Sequence, residues 1–175
     1  MKSVDNHETM IIQTRTYLST ARRSAVEFLR DIGFLPPSIM QVGAICHRTD
    51  EDGVKVLVIT SLGTKQWIIP KGWPKKNCSS AQTALEESYE EAGIRGTVSN
   101  APIGQYSYQK QSKSGLMLDC VASVYEIAVS DTLDKFPEAG RRKRAWLSPE
   151  AASDRVTNPD LKQLLADFTP QIPAP

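Results

Sequence analysis

The sequence predicts an α/β (α+β) fold, one domain in which helices cover both faces of a mixed sheet. Three observations predict it. Segments of strand and helix character follow in the order β, β, β, helix, several β, helix. Val54, Val56, Leu57, Val58 and Ile59 form a nearly continuous apolar run, as an interior strand requires. The helix between the strands has both ends marked: Ser79 with Gln82 three residues later makes a capping box, and Gly93 after Glu91-Ala92 is a left-handed stop.

Residues 1–38 read as a polar lead followed by a helix, Thr20 to Asp31, in which Ala21, Ala25, Phe28, Leu29 and Ile32 recur at helical spacing. Pro36 and Pro37 close this appendage. Strands are expected at Gln41 to His47 and Val54 to Thr60, joined by the polar turn Thr49-Asp50-Glu51-Asp52-Gly53, and at Trp67-Ile68-Ile69, which runs into Pro70-Lys71-Gly72. After the helix, strands are expected at Thr97 to Val98, Gly104 to Lys110, Leu116 to Ala128 and Lys143 to Leu147. Ser148-Pro149-Glu150 and Asn158-Pro159-Asp160 each pair an N-cap with a first-turn proline, so two short helices should follow. The main domain is thus placed at 39–169. The proline-bearing tail 170–175 is expected to be disordered.

At 175 residues and 40% hydrophobic content, the chain suffices for one good core and is short for two. Lys plus Arg number 21 and Asp plus Glu 20, so the net charge of +1 provides no global field for nucleic acid or an anionic membrane. Cys46, Cys78 and Cys120 are odd in number and widely spaced, which argues against a disulfide framework and for a reducing compartment. No apolar run is long enough to span a bilayer, and Met1 to Thr9 lacks the apolar core of a signal peptide, so the cytoplasm is expected. His7 and His47 are the only histidines, too few for a multi-histidine zinc site. Proton work must then fall to carboxylates, lysines or a metal.

On a helix of about 100° per residue, Ala81, Ala84, Leu85, Ser88 and Ala92 share one arc, small enough to pack closely on a sheet. Glu87, Glu90 and Glu91 stand on the opposite side at i, i+3 and i+4, with Glu86 on the flank. Like charges so spaced destabilise a helix by about 0.2–0.5 kcal/mol per pair. A cation is therefore invited. Mg²⁺ is the best fit, because it takes oxygen ligands from a few carboxylates together with waters and phosphates. Immediately upstream, Trp67 to Lys76 leads from a strand into a glycine loop rich in lysine, an arrangement suited to gripping a phosphate chain between lysine and metal.

Gly72, Glu87, Glu90, Glu91, Gly93 and Ile94 resemble the Nudix box, G-x5-E-x7-R-E-U-x-E-E-x-G-U with U aliphatic. The Pro70-Lys71-Gly72 entry is similar to the branch containing diphosphoinositol polyphosphate and diadenosine polyphosphate hydrolases. The resemblance implies an α/β/α sandwich from about Gln41 to Phe168. Three positions depart from the pattern: Cys78 replaces the first glutamate, Glu86 the arginine and Ser88 the aliphatic residue.

The resemblance implies that Glu87, Glu90 and Glu91 bind Mg²⁺ or Mn²⁺ across the phosphates of a small phosphorylated substrate, with Glu90 or Glu91 as general base for the attacking water. Lys71 is the candidate phosphate contact, with the Gly72 backbone allowing close approach. Tyr106, Tyr108 and Lys110 alternate on a later strand, which makes Tyr108 a candidate for the pocket wall. The run Arg141-Arg142-Lys143-Arg144 is either a solvated stretch or, through Arg142, a reach toward a highly phosphorylated substrate. A regulatory module binding a nucleotide or phosphorylated ligand is the rival reading, supported by Glu86 and Cys78. An RNA 5′-pyrophosphohydrolase shares the chemistry but would want a basic stripe that this chain lacks.

Overall fold

The structure is a computed structural model that describes residues 38–112 and 115–173; the helix expected at Thr20 to Asp31 lies outside them. The chain from Ile39 onward forms one compact unit. Its strands are β1 (Ile39–Asp50), β2 (Gly53–Thr60), β3 (Trp67–Ile68), β4 (Lys71–Gly72), β5 (Ile94–Val98), β6 (Gly104–Gln111), β7 (Met117–Thr132) and β8 (Arg144–Leu147). Its helices are α1 (Ser80–Ala92), between β4 and β5, then α2 (Pro149–Arg155) and α3 (Pro159–Ala166).

All eight strands join one sheet with the central order β3-β2-β1-β7-β5. The sheet is mixed because β1 runs parallel to β7, Ile39 to His47 against Cys120 to Ala128, while the other pairs are antiparallel. Gly53 turns the β1–β2 hairpin at φ +101°, open to glycine at little cost.

The apolar run of β2 divides between two cores, as its period of two requires. Leu57 and Ile59 join Val42, Ala44, Cys46 and Ile127 under Ala84 and Ala92 of α1. Val56 and Val58 join Ile45, Ala122 and Val124 under Ala152 of α2 and Leu161 and Leu165 of α3. The expected sandwich, with helices on both faces, is the observed architecture. Among the described residues no helix is long and apolar enough to cross a membrane.

Both predicted ends of α1 are present. Ser79 accepts the Gln82 N–H, and Gly93 adopts φ +70° with its N–H directed at the last turn. The other half of the capping box is absent, because the Gln82 side chain turns to Glu86 instead. Ser148 and Asn158 cap the later helices through their side chains, each followed by proline.

Two expectations need correction. Pro70-Lys71-Gly72 is more than a loop entry: Lys71 and Gly72 pair with Gly43 and Val42 of β1, and Ala44 N–H donates to Pro70 carbonyl at 3.0 Å. The tail expected to lack order is tied down at Gln171 and Ile172, whose N–H groups donate to Glu126 Oε1 at 2.8 and 3.0 Å. A fully buried carboxylate that accepts two backbone amides besides its contact with His47 outweighs the local composition.

Candidate active site

The site is built where β4 meets the open side of α1. Gly72 lies directly beneath Glu87, whose carboxylate occupies the space a side chain at 72 would take. One turn on, Glu91 reaches β4 itself, with Oε2 accepting the Lys71 N–H at 2.9 Å. Its other oxygen meets the Arg142 guanidinium, which also donates to Glu138 Oε2 at 2.5 Å and to the Thr60 carbonyl at 3.2 Å. Glu91 is therefore buried, 8% exposed, contrary to the expectation that Glu87, Glu90 and Glu91 share one open face. The helical wheel located the face but missed β4 and the segment before β8 closing over its edge. Burial pushes the Glu91 carboxyl up to about 7, against the pull of the Lys71 amide and Arg142.

Lys75, in the loop from β4 to α1, stands among the remaining carboxylates. Its Nζ lies 2.7 Å from Glu90 Oε1, 3.2 Å from Glu86 Oε2 and 3.5 Å from Glu87 Oε1. The Cys78 thiol also reaches Glu86, at 3.7 Å. The two positions that depart most from the Nudix pattern are thus neighbours in space, and a lysine from a third position supplies the positive charge.

These carboxylates suit a hard divalent cation in donor chemistry, and an ammonium already gathers three of them about one point. As the side chains stand, no three His, Cys, Asp or Glu among the described residues form a closed metal group. Lys75 and Arg142 take up the oxygens. In donor chemistry the carboxylates fit such a cation, which would need Lys75 to leave Glu87 and Glu90.

A second wall faces this helix. Lys71 Nζ lies 4.4 Å from the centre of the Tyr108 ring and donates to Gln41 Oε1 at 3.3 Å, while the Tyr108 hydroxyl bonds to the same oxygen. Burial, reinforced by the neighbouring charge of Lys110, pushes the Lys71 ammonium down to about 8. Tyr106 stacks on Tyr108 at 5.5 Å, and Lys110 lies 4.9 Å over Trp73, which is 43% exposed.

Of the residues singled out in the sequence, the structure brings Lys71, Gly72, Glu87, Glu90 and Glu91 together, with Tyr108 beside Lys71. Arg142 also arrives, but its side chain is 7% exposed and committed to Glu91 and Glu138 rather than open to a phosphate. The basic run is not a solvated stretch throughout, since Arg144 Nη1 donates to the carbonyls of Ala92 and Leu133. Sequence reading missed Gln41 and Glu138. Gln41 has no local signal, because its partner Tyr108 comes from a separate strand, whereas Glu138 stands four residues before Arg142, a spacing that the sequence displays. Lys75, read from the sequence as part of a lysine loop either gripping phosphate or simply solvated, instead faces the carboxylates of α1.

No family model matches the chain. Among curated proteins it is 30% identical over 132 residues to Nudix hydrolase 16, mitochondrial, of Arabidopsis thaliana, covering 68% of this chain and 71% of that protein. It is 26% identical over 114 residues to a human diphosphoinositol polyphosphate phosphohydrolase, covering 64% of this chain and 59% of the other. Among solved structures it is similar to the Ap4A hydrolase of C. elegans, with TM-score 0.54 and 17% identity over 74% of this chain and 95% of that one.

Proposed function

Because the chain belongs to the Nudix hydrolase family and is a pyrophosphohydrolase of a phosphorylated substrate, we propose that its reaction requires Mg²⁺ or Mn²⁺ and that its substrate is a dinucleoside polyphosphate or a diphosphoinositol phosphate. The observation that carries the proposal is the juxtaposition of a carboxylate helix, Glu87, Glu90 and Glu91, with the cationic wall of Lys71 and Lys110. Relatives named for diphosphoinositol polyphosphate and Ap4A hydrolysis support the substrate class.

In this reading Glu87, Glu90 and Glu91 hold the divalent cation. When bound, it neutralises phosphate charge and lowers the pKa of a coordinated water. Lys71 fixes the phosphate chain, oriented by Gln41 and the face of Tyr108. Gly72 leaves room for Glu87 to sit against the backbone. Glu90 is the better placed general base, because its side chain is 45% exposed whereas Glu91 is locked between Lys71 N–H and Arg142. Three free cysteines agree with a cytoplasmic setting, which is part of the same proposal.

The test is a panel of diadenosine polyphosphates, diphosphoinositol phosphates, nucleoside triphosphates and nucleotide sugars, each assayed with Mg²⁺, Mn²⁺ and chelator. Turnover confined to the first two classes and abolished by chelator is expected. Activity unchanged by chelator sinks the metal requirement, and no turnover on any member transfers weight to a ligand-binding module, which Glu86 in place of the pattern's arginine favours.

A further inference from the structure

We propose that Lys75 is a tethered counter-cation of the carboxylate helix: besides Glu86, its ammonium occupies Glu87 and Glu90, two of the three carboxylates that would hold a divalent cation, and metal binds only as Lys75 leaves. The inference rests on the metal-dependent reading above and adds a residue that controls metal affinity.

Four features lead to it. Lys75 is shared by three carboxylates of two successive helical turns, at 2.7, 3.2 and 3.5 Å. Serving one structural pair would need only one of them. Its backbone is fixed, with N–H donating to Thr83 Oγ1 of α1 at 3.4 Å and carbonyl accepting the Cys78 N–H at 3.2 Å, so the side chain alone has to move. That side chain is 27% exposed and has a route to water. Finally, Glu86 adds a fourth acid to the helix where the Nudix pattern has an arginine, and among the described residues Lys75 is the cation that meets it.

The consequence is an exchange of cations. In the resting protein the lysine relieves repulsion among the glutamates. A divalent ion would bring twice the charge to Glu87 and Glu90 but must displace the lysine from them first, which weakens its apparent affinity. The released ammonium, still anchored beside Gly72, is then free to meet an anionic substrate.

Mn²⁺ binding without substrate, followed by the electron paramagnetic resonance of free Mn²⁺, tests this on the full chain and on Lys75→Met and Lys75→Arg. Lys75→Met should bind Mn²⁺ at least about tenfold more tightly at low salt, the gain shrinking as salt is added, and Lys75→Arg should stay near wild type. Equal or weaker binding by Lys75→Met, with wild type still binding, overturns the counter-cation role and leaves the metal reading intact. Tightening in Lys75→Arg equal to that in Lys75→Met also overturns it, because charge would not be the cause. If none of the three proteins binds Mn²⁺, the metal-dependent reading itself fails and takes this inference with it.

Discussion

Glu87 Cδ lies so close to Gly72 that a Cβ at residue 72 would stand 2.1 Å from it. Gly72→Ala must therefore displace the Glu87 carboxylate. The group that gives way is the end of a flexible side chain, so the cost in stability should be about 1 kcal/mol. Turnover should fall on the order of 10²-fold, as expected when a reacting group shifts by about 1 Å. Thermal melting beside kcat measurement checks it; unchanged kcat would show that the position of Glu87 is immaterial.

Glu90 and Glu91 should separate by stability. Glu90→Gln and Glu91→Gln are each expected to reduce turnover by at least about 10²-fold. Only Glu91→Gln should also destabilise the fold, by about 1–3 kcal/mol, because Arg142 is buried and loses one of its two carboxylates. Urea denaturation of both variants decides this. Equal midpoints would mean that the Glu91–Arg142 pair contributes nothing net.

Lys71 predicts two pH trends of opposite sign. Its ammonium, pushed down to about 8, carries charge below that pH and loses it above, so kcat/KM should decline above about pH 8. Arginine stays protonated throughout, and Lys71→Arg should remove that alkaline limb. Stability runs the other way. A lysine whose folded pKa lies below its unfolded value of 10.5 binds its proton more readily when unfolded, so its contribution is fully present above 10.5 and lost as pH falls through 8. Rate profiles and denaturant midpoints from pH 7 to 10 test both; an alkaline limb that persists in Lys71→Arg assigns it to another group.

The tail depends on Glu126. This buried carboxylate stands 2.9 Å from His47 Nε2 while accepting the amides of Gln171 and Ile172. Glu126→Ala should cost about 1–3 kcal/mol, the scale of leaving buried donors without their acceptor, since burial holds the His47 pKa down and no charge is stranded. Hydrogen exchange gives the specific readout: the amides of Gln171 and Ile172 should lose protection before the central strands do. Retained protection at both would show that the tail is held by other contacts.

The sequence by itself determined what depends on neighbours a few residues apart. The ends of α1 follow from Ser79 and Gly93, the two-sided burial of β2 from its unbroken apolar run, and the starts of α2 and α3 from Ser148-Pro149 and Asn158-Pro159. The acidic helix and the Lys71-Gly72 approach were legible for the same reason: the wheel and the box spacing are local geometry. Tertiary structure alone decided how each charge is used. Glu91 meets Lys71 N–H across 20 residues and Arg142 across 51, Gln41 meets Tyr108 across 67, and Glu126 holds the tail across 45. None of these contacts has a periodic signature. They exist because sheet pairing places β4 and β7 against β1 and β6 against β7, and a carboxylate enclosed there must find a partner or lose its hydration uncompensated. That requirement made Glu91 a buried ligand of its own protein, when its place on the helix had suggested an open face.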